Sequence, residues 1–245
     1  MQHFSRWLIA LLVLLGLGGV GYLWWHKQQA PAPIVAMPPL VDEPEVVRDA
    51  LVGLLGRQEV LSFLDSSDFS RRFVATVDNL ARGHTASRLW PVVPAPARFL
   101  VVERDGATFM ASGNTDRYNA FVRFATAIDT DAAVALYVRM YPILQKSYLD
   151  LGFPGKHFNN RMVEVIDMLL RTPEPEEPIR LSFTEVKGPI EVKRPWVRYE
   201  FADPDLEARP AGQKILMRMG SKNARQLKAK LREIRKRIAG RPVGG

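Results

Sequence analysis

The chain contains no cysteine among its 245 residues. Disulfides, thiolate zinc sites, iron–sulfur clusters and a cysteine nucleophile are thereby excluded. The compartment is not, because a cysteine-free chain is tolerated in oxidising and reducing spaces alike. Histidine is scarce: of four, only His84 and His157 lie beyond the first 27 residues. No ligand spacing supports a metal site built from those two and nearby carboxylates, and we expect neither metal nor cofactor. A Walker A loop, a G-x-G-x-x-G turn, an H-E-x-x-H helix and a serine in a G-x-S-x-G elbow are all missing. Carboxylate pairs do occur, Glu164 with Asp167 and Asp203 with Asp205 and Glu207. Any chain with 26 acids supplies such pairs, and capping or salt bridging explains them more simply than glycoside cleavage does. The catalytic residues are therefore left unknown.

What is present begins with a membrane signal. Residues 7–25, WLIALLVLLGLGGVGYLWW, carry no charge, and ten of these 19 residues are Leu, Ile or Val. As a helix they span about 28 Å, close to the ~30 Å hydrocarbon core of a bilayer. Trp7 at one end and Tyr22, Trp24 and Trp25 at the other suit the interfacial aromatic belt. The alternative is a cleaved signal peptide. Its apolar run is usually shorter, and the nearest small-residue site, Ala30-Pro31-Ala32, would need cleavage before Pro33. We read an uncleaved anchor that contacts the lipid bilayer through residues 7–25. Arg6 faces His26 and Lys27 across it, so the positive-inside rule barely decides orientation. A short tail (1–6) before a large domain favours placing that domain outside the cytoplasm.

Residues 26–45 form a proline-rich linker, extended and fairly stiff. A single soluble domain is expected over 46–240, followed by a disordered tail, 241–245. Apolar residues at helical spacing predict helices from about Pro44 to Gly56, around 60–64, and from 69 to about 80. Ser67 or Asp68 is the expected N-cap of the third. Pro91, Pro94 and Pro96 exclude a helix there. Strand candidates at 99–102 and 107–110 flank Asp105-Gly106, a hairpin turn signal. Two helices follow, the first capped by Asn114 or Thr115, the second capped by Thr130 and stopped at Gly152. Pro142 lies inside the second and predicts a kink or break. Further strands are expected at 179–183, 190–193 and 196–201, and a closing helical pair at 212–219 and 223–238.

The stretch LGFPGKHFNNRMVEVIDMLL (151–170) puts polar residues in front of an apolar run. Gly152 and Pro154 stop the preceding helix, Asn159 is a preferred N-cap, and Phe158 can staple against Val163. Met162, Val163, Ile166, Leu169 and Leu170 form a buried face. His157, Asn160, Arg161, Glu164 and Asp167 remain for a site. A polar cleft holding His157, Arg161 and Asp203 would argue against a purely non-catalytic role.

Charge is polarised along the chain. Residues 209–245 hold twelve Lys or Arg and one acid, Glu233, whereas residues 28–208 hold 20 basic and 25 acidic residues. Ala224, Leu227, Leu231, Ile234 and Ile238 make an a/d seam. Three readings follow: the seam packs on the acidic body, the helix binds an anionic membrane or polymer, or it pairs with a partner helix. Nucleic acid is not expected, because no aromatic residue follows Phe201 to stack on bases.

The runs LDSSDF, FVATVDNLARG, NTDRYNAFV, LYVRMYPILQKSYLDLGFPGKHFNNRMVEVIDMLL and FADPDLEARPAGQKILMRMGSKNARQLKAKLREIR resemble the bacterial family known as domain of unknown function 3014, over most of residues 45–238. The resemblance implies the same layout of anchor, spacer and one domain, and an envelope location. It implies no activity, ligand or catalytic residue.

The expected fold is α+β, mainly helical with a small β element. The expected function is a non-catalytic binding or scaffolding domain on a single-pass anchor in the cytoplasmic (inner) membrane, facing the periplasm, with an envelope protein or anionic polymer as partner. A carboxylate-dependent enzyme acting on an envelope polymer is the alternative. A cytoplasm-facing nucleic-acid binder ranks third.

Overall fold

Helical periodicity and a few turn signals translate into the architecture directly. The computed structural model describes residues 40–175, 178–184 and 198–239. The expected anchor (7–25), most of the linker, the strand expected at 190–193 and the tail 241–245 lie outside the described residues. No helix among the described residues is long and apolar enough to cross a membrane.

The helices are α1 (Pro44–Leu55), α2 (Arg57–Phe63), α3 (Phe69–Leu80), α4 (Asn114–Ala127), α5 (Thr130–Asp150), α6 (Phe158–Leu170), the single turn α7 (Pro204–Glu207), α8 (Ala211–Arg218) and α9 (Ser221–Ile238). The strands are β1 (Val101–Arg104), β2 (Ala107–Met110), β3 (Arg180–Phe183) and β4 (Tyr199–Phe201). They form one antiparallel sheet in the order β1-β2-β3-β4. The fold is α+β and mainly helical, as the patterning requires.

The β1–β2 hairpin follows from two residues. Arg104 pairs with Ala107, so Asp105 and Gly106 alone form the loop, at φ 48° and 71°. Positive φ at both positions is the geometry whose twist matches paired strands, and Gly reaches it without steric cost.

The main core joins one face of each long helix. Val47 and Leu51 of α1, Val74 and Val77 of α3, Tyr141, Leu144 and Tyr148 of α5, and Phe158, Val165 and Leu169 of α6 are buried together. A smaller core under the sheet holds Met110, Ile179, Leu181, Phe201 and Met217.

Several local expectations are corrected by tertiary contacts. Asn159 does not cap α6. His157 occupies the N-cap position, and the buried Asn159 side chain bonds Tyr137 and Ile238 instead. Asn114 lies inside α4, wholly buried, where its amide accepts from the Leu100 N–H at 2.9 Å and donates to the Leu100 carbonyl. It extends the edge of β1 as a backbone would. Asp129, not Thr130, caps α5, accepting from Ala132 N–H at 2.7 Å. The Thr130 hydroxyl donates to Glu233. Asp68 stands at the N-cap of α3 with φ 49° and makes no capping bond, while the Ser67 hydroxyl turns to Asp65. Helix α5 runs unbroken through Pro142. An interior proline costs about 3 kcal/mol, but Met140, Tyr141, Ile143 and Leu144 around it are all buried, and their packing holds the chain helical.

Helix α9 docks on its own domain, packing against α4, α5 and α6. Its Asn223 amide donates to the Thr115 carbonyl and to Asn119. Arg235 pairs with Asp167, Arg237 with Asp131, and Arg225 and Lys228 with Glu174. The first of the three sequence readings is thus the structural one: the seam and much of the basic face are engaged by the acidic body.

Candidate functional site

Among the concavities of the described residues, beside an open one of about 590 Å³ around Asp65, Arg72 and Trp90, are a polar cleft and an apolar cavity. The polar cleft, about 480 Å³, lies where the start of α6 meets α3 and α5. Its floor is the Asp78 carboxylate, the one buried acid among the described residues. Asp78 sits on the apolar face of α3 beside Val74 and Val77, which brings it inward. Arg161 donates its Nε to Asp78 Oδ1 at 2.9 Å and its Nη2 to the Asp78 carbonyl at 3.2 Å. Arg82, one helical turn beyond Asp78, donates Nε to Oδ2 at 3.0 Å. The third nitrogen of Arg161 reaches Glu164 at 3.3 Å.

Tyr148 completes the floor. Its ring stacks on Phe153 with centroids 4.6 Å apart and is 97% buried, at 3% exposure. Its hydroxyl lines the cleft without a hydrogen-bond partner among the described residues. Burial raises its pKa first, and the Asp78 charge adds to the rise. Lys156, His157 and Asn160 form an exposed rim.

The structure therefore brings His157, Asn160, Arg161 and Glu164 into one cleft. It does not bring Asp167, which faces Arg235 on α9, nor Asp203, which accepts from the Asp205 N–H as the cap of α7. His84 is exposed elsewhere, and Glu207 is held by Lys214 and the Phe201 N–H. Sequence reasoning missed Asp78, Arg82 and Tyr148. An acid placed on the apolar side of the 69–80 helix was the available signal.

Chemically, the cleft is a charge cluster closed on itself. Its buried carboxylate is saturated by two guanidiniums, and its second acid, Glu164, is 65% exposed at the side chain and paired with Arg161. Both acids of the cleft, Asp78 and Glu164, are thus engaged by Arg161. No group of three or more His, Asp or Glu among the described residues is placed to hold a metal ion.

The apolar cavity, about 530 Å³, lies between α2, the proline-rich segment 90–96, α4 and α8. Phe63, Trp90, Val92, Phe121, Ile215 and Met219 supply its walls. Two arginines reach it. Arg117 is spent on the carbonyls of Pro96 and Ala97. Arg218 donates Nη2 to the Tyr199 carbonyl at 3.0 Å and lies 5.1 Å from the centroid of Phe201. No carboxylate among the described residues forms an ion pair with it. Burial lowers its pKa from the usual arginine value, although the charge remains at neutral pH.

The domain is thus a mainly helical α+β fold carrying a polar cleft and an apolar cavity. The family model described as Protein of unknown function (DUF3014) matches residues 69–235, and the chain belongs to that family. No curated protein and no solved structure matches it.

Proposed function

We propose that the chain is a non-catalytic binding protein of the bacterial envelope. In this reading residues 7–25 anchor it in the cytoplasmic membrane, residues 26–45 hold the domain off the bilayer, and the domain faces the periplasm. One observation carries the binding role. Arg218, set in an apolar cavity, lacks a carboxylate partner among the described residues, while the buried acid of the polar cleft is fully engaged by Arg82 and Arg161. A site that keeps a guanidinium with no ion pair among the described residues in an apolar wall is arranged to receive a counter-charge rather than to transfer a proton.

The nucleic-acid reading loses support from the docking of α9. Lys214, Arg225, Lys228, Lys230, Arg235 and Arg237 are each paired with a carboxylate, which leaves fewer cations for phosphates. The enzyme reading keeps one favourable observation, the Tyr148 hydroxyl, which has no hydrogen-bond partner among the described residues and feels the Asp78 charge. Turnover of an envelope polymer by the purified chain, lost in Tyr148→Phe, would replace the binding reading with it.

Topology is tested with Ser182→Cys, a single thiol at an exposed position of β3. Labelling by a membrane-impermeant reagent in cells with a permeabilised outer membrane is the expected result. Labelling only after inner-membrane lysis would place the domain in the cytoplasm and overturn the location. Binding is tested by native mass spectrometry of the full chain released from its membrane. We expect a non-covalent adduct of one small molecule, absent from Ala120→Trp, which fills the cavity mouth; the same adduct on both proteins would exclude the cavity.

A further inference from the structure

We propose that the apolar cavity between α2, α4 and α8 is a binding site for an amphipathic carboxylate, an acyl chain with a single anionic head of the fatty-acid kind. This rests on the binding reading above and names the ligand class. The walls come from four separate elements, and their apolar character suits a hydrocarbon body. A volume of about 530 Å³ falls within the range that takes small organic ligands.

The polar end is set by Arg218. Among the described residues its one hydrogen bond is from Nη2 to the Tyr199 carbonyl. The planar fork offers further N–H groups suited to both oxygens of a carboxylate. The charges of Glu207 and Glu200 favour its ionised form, but neither carboxylate is within ion-pair distance of it. Glu207 is occupied by the Lys214 ammonium at 2.6 Å and by the Phe201 N–H at 3.0 Å. The Phe201 ring beneath Arg218 holds the guanidinium in place by a cation–π contact. Arg117, the second arginine of the wall, is fastened to Pro96 and Ala97 and fixes the proline-rich side of the mouth. With Arg117 fastened to backbone carbonyls, the Arg218 guanidinium at the border of an apolar cavity selects against a neutral chain.

The test uses the full chain in amphipol and carboxyl-labelled decanoate, with decanol as a neutral twin of the same body. Saturable decanoate binding is expected, weakened about tenfold or more in Arg218→Met as a charge-assisted bond is lost. Decanol should bind more weakly than decanoate and be indifferent to that substitution. Ala120→Trp should remove the saturable component for both. Arg218→Lys keeps the charge without the fork and should fall between wild type and Arg218→Met; it also serves if Arg218→Met does not fold. Equal binding of decanoate and decanol, or no effect at Arg218, would leave a binding cavity but overturn the carboxylate. No saturable binding of either probe would overturn the cavity itself. A hydrophobic tripeptide with a free carboxylate that binds more tightly than decanoate would reassign the site to peptide ends and overturn the acyl chain.

Discussion

The side-chain amide of Asn159, in the first turn of α6, donates to the carbonyl of Ile238 at the last turn of α9, at 3.3 Å across 79 positions of the chain. The same amide accepts from the Tyr137 hydroxyl of α5 at 3.1 Å. Three helices are thereby joined at one buried side chain. Asn159→Ala would leave a hydroxyl and a carbonyl unpaired and should cost about 1–3 kcal/mol. Urea denaturation measures it; a loss below a few tenths would mean that the amide is not a joint.

The polar cleft makes an ordered prediction. Arg161 is 24% exposed at the side chain and Arg82 57%, so solvent screens the second pair more strongly. Asp78→Ala should cost about 2–3 kcal/mol, less than the ~3–5 kcal/mol of a fully buried pair. Arg161→Ala should cost more than Arg82→Ala. Equal costs for the two arginines would contradict the geometry.

Two glycine-to-alanine changes should have opposite signs. A Cβ at Gly212 of α8 would meet Leu169 Cδ2 at 2.7 Å and the Leu80 carbonyl at 3.0 Å. The backbone partner cannot give way, so Gly212→Ala should destabilise by about 1–3 kcal/mol despite its better helix propensity. Gly53, exposed within α1, has nothing within 4 Å of a Cβ. Gly53→Ala should stabilise by about 0.5–1 kcal/mol. Thermal melts of both variants decide the matter.

Acid should loosen α9 first. The hydrogen bond from Arg235 holds Asp167 below the ordinary carboxylate range, and Arg225 and Lys228 do the same for Glu174. A folded-state value below the unfolded one stabilises at neutral pH, and that contribution is lost as pH falls through the folded value, a window below about pH 4. Asp167→Asn should therefore lower the urea midpoint near pH 6, and the difference should shrink as the pH falls below about 4. A difference that persists unchanged at the lower pH would show that the ion pair is not its source.

The long helices were legible because their apolar faces repeat at the helical period, and the hairpin because Asp105-Gly106 is turn chemistry. The capping residues were misread for one shared reason. Asn114, Thr130 and Asn159 are types that favour helix starts, and each does stand within two residues of one. Each is also buried, and its side chain satisfies a polar group far along the sequence, which a local rule cannot see. The candidate site divides in the same way. His157, Asn160, Arg161 and Glu164 fall together because they share one segment. Asp78, Arg82 and Tyr148 arrive from helices packed against it, and Arg218 reads in sequence as one more cation of a basic tail.

The docking of α9 also governs the order in which the molecule can be completed. Its bonds to Thr115, Asn119, Asp131 and Thr130 close loops of more than 100 residues. Such contacts are entropically late, because the intervening chain must be ordered before they form. A chain emerging from the ribosome can assemble α1 to α6 early, yet their polar ends wait for the 18 residues of α9. Helix α9 is therefore the clasp of the domain, and a nascent chain cut before it would present the seats of that clasp as bare acids and unpaired carbonyls.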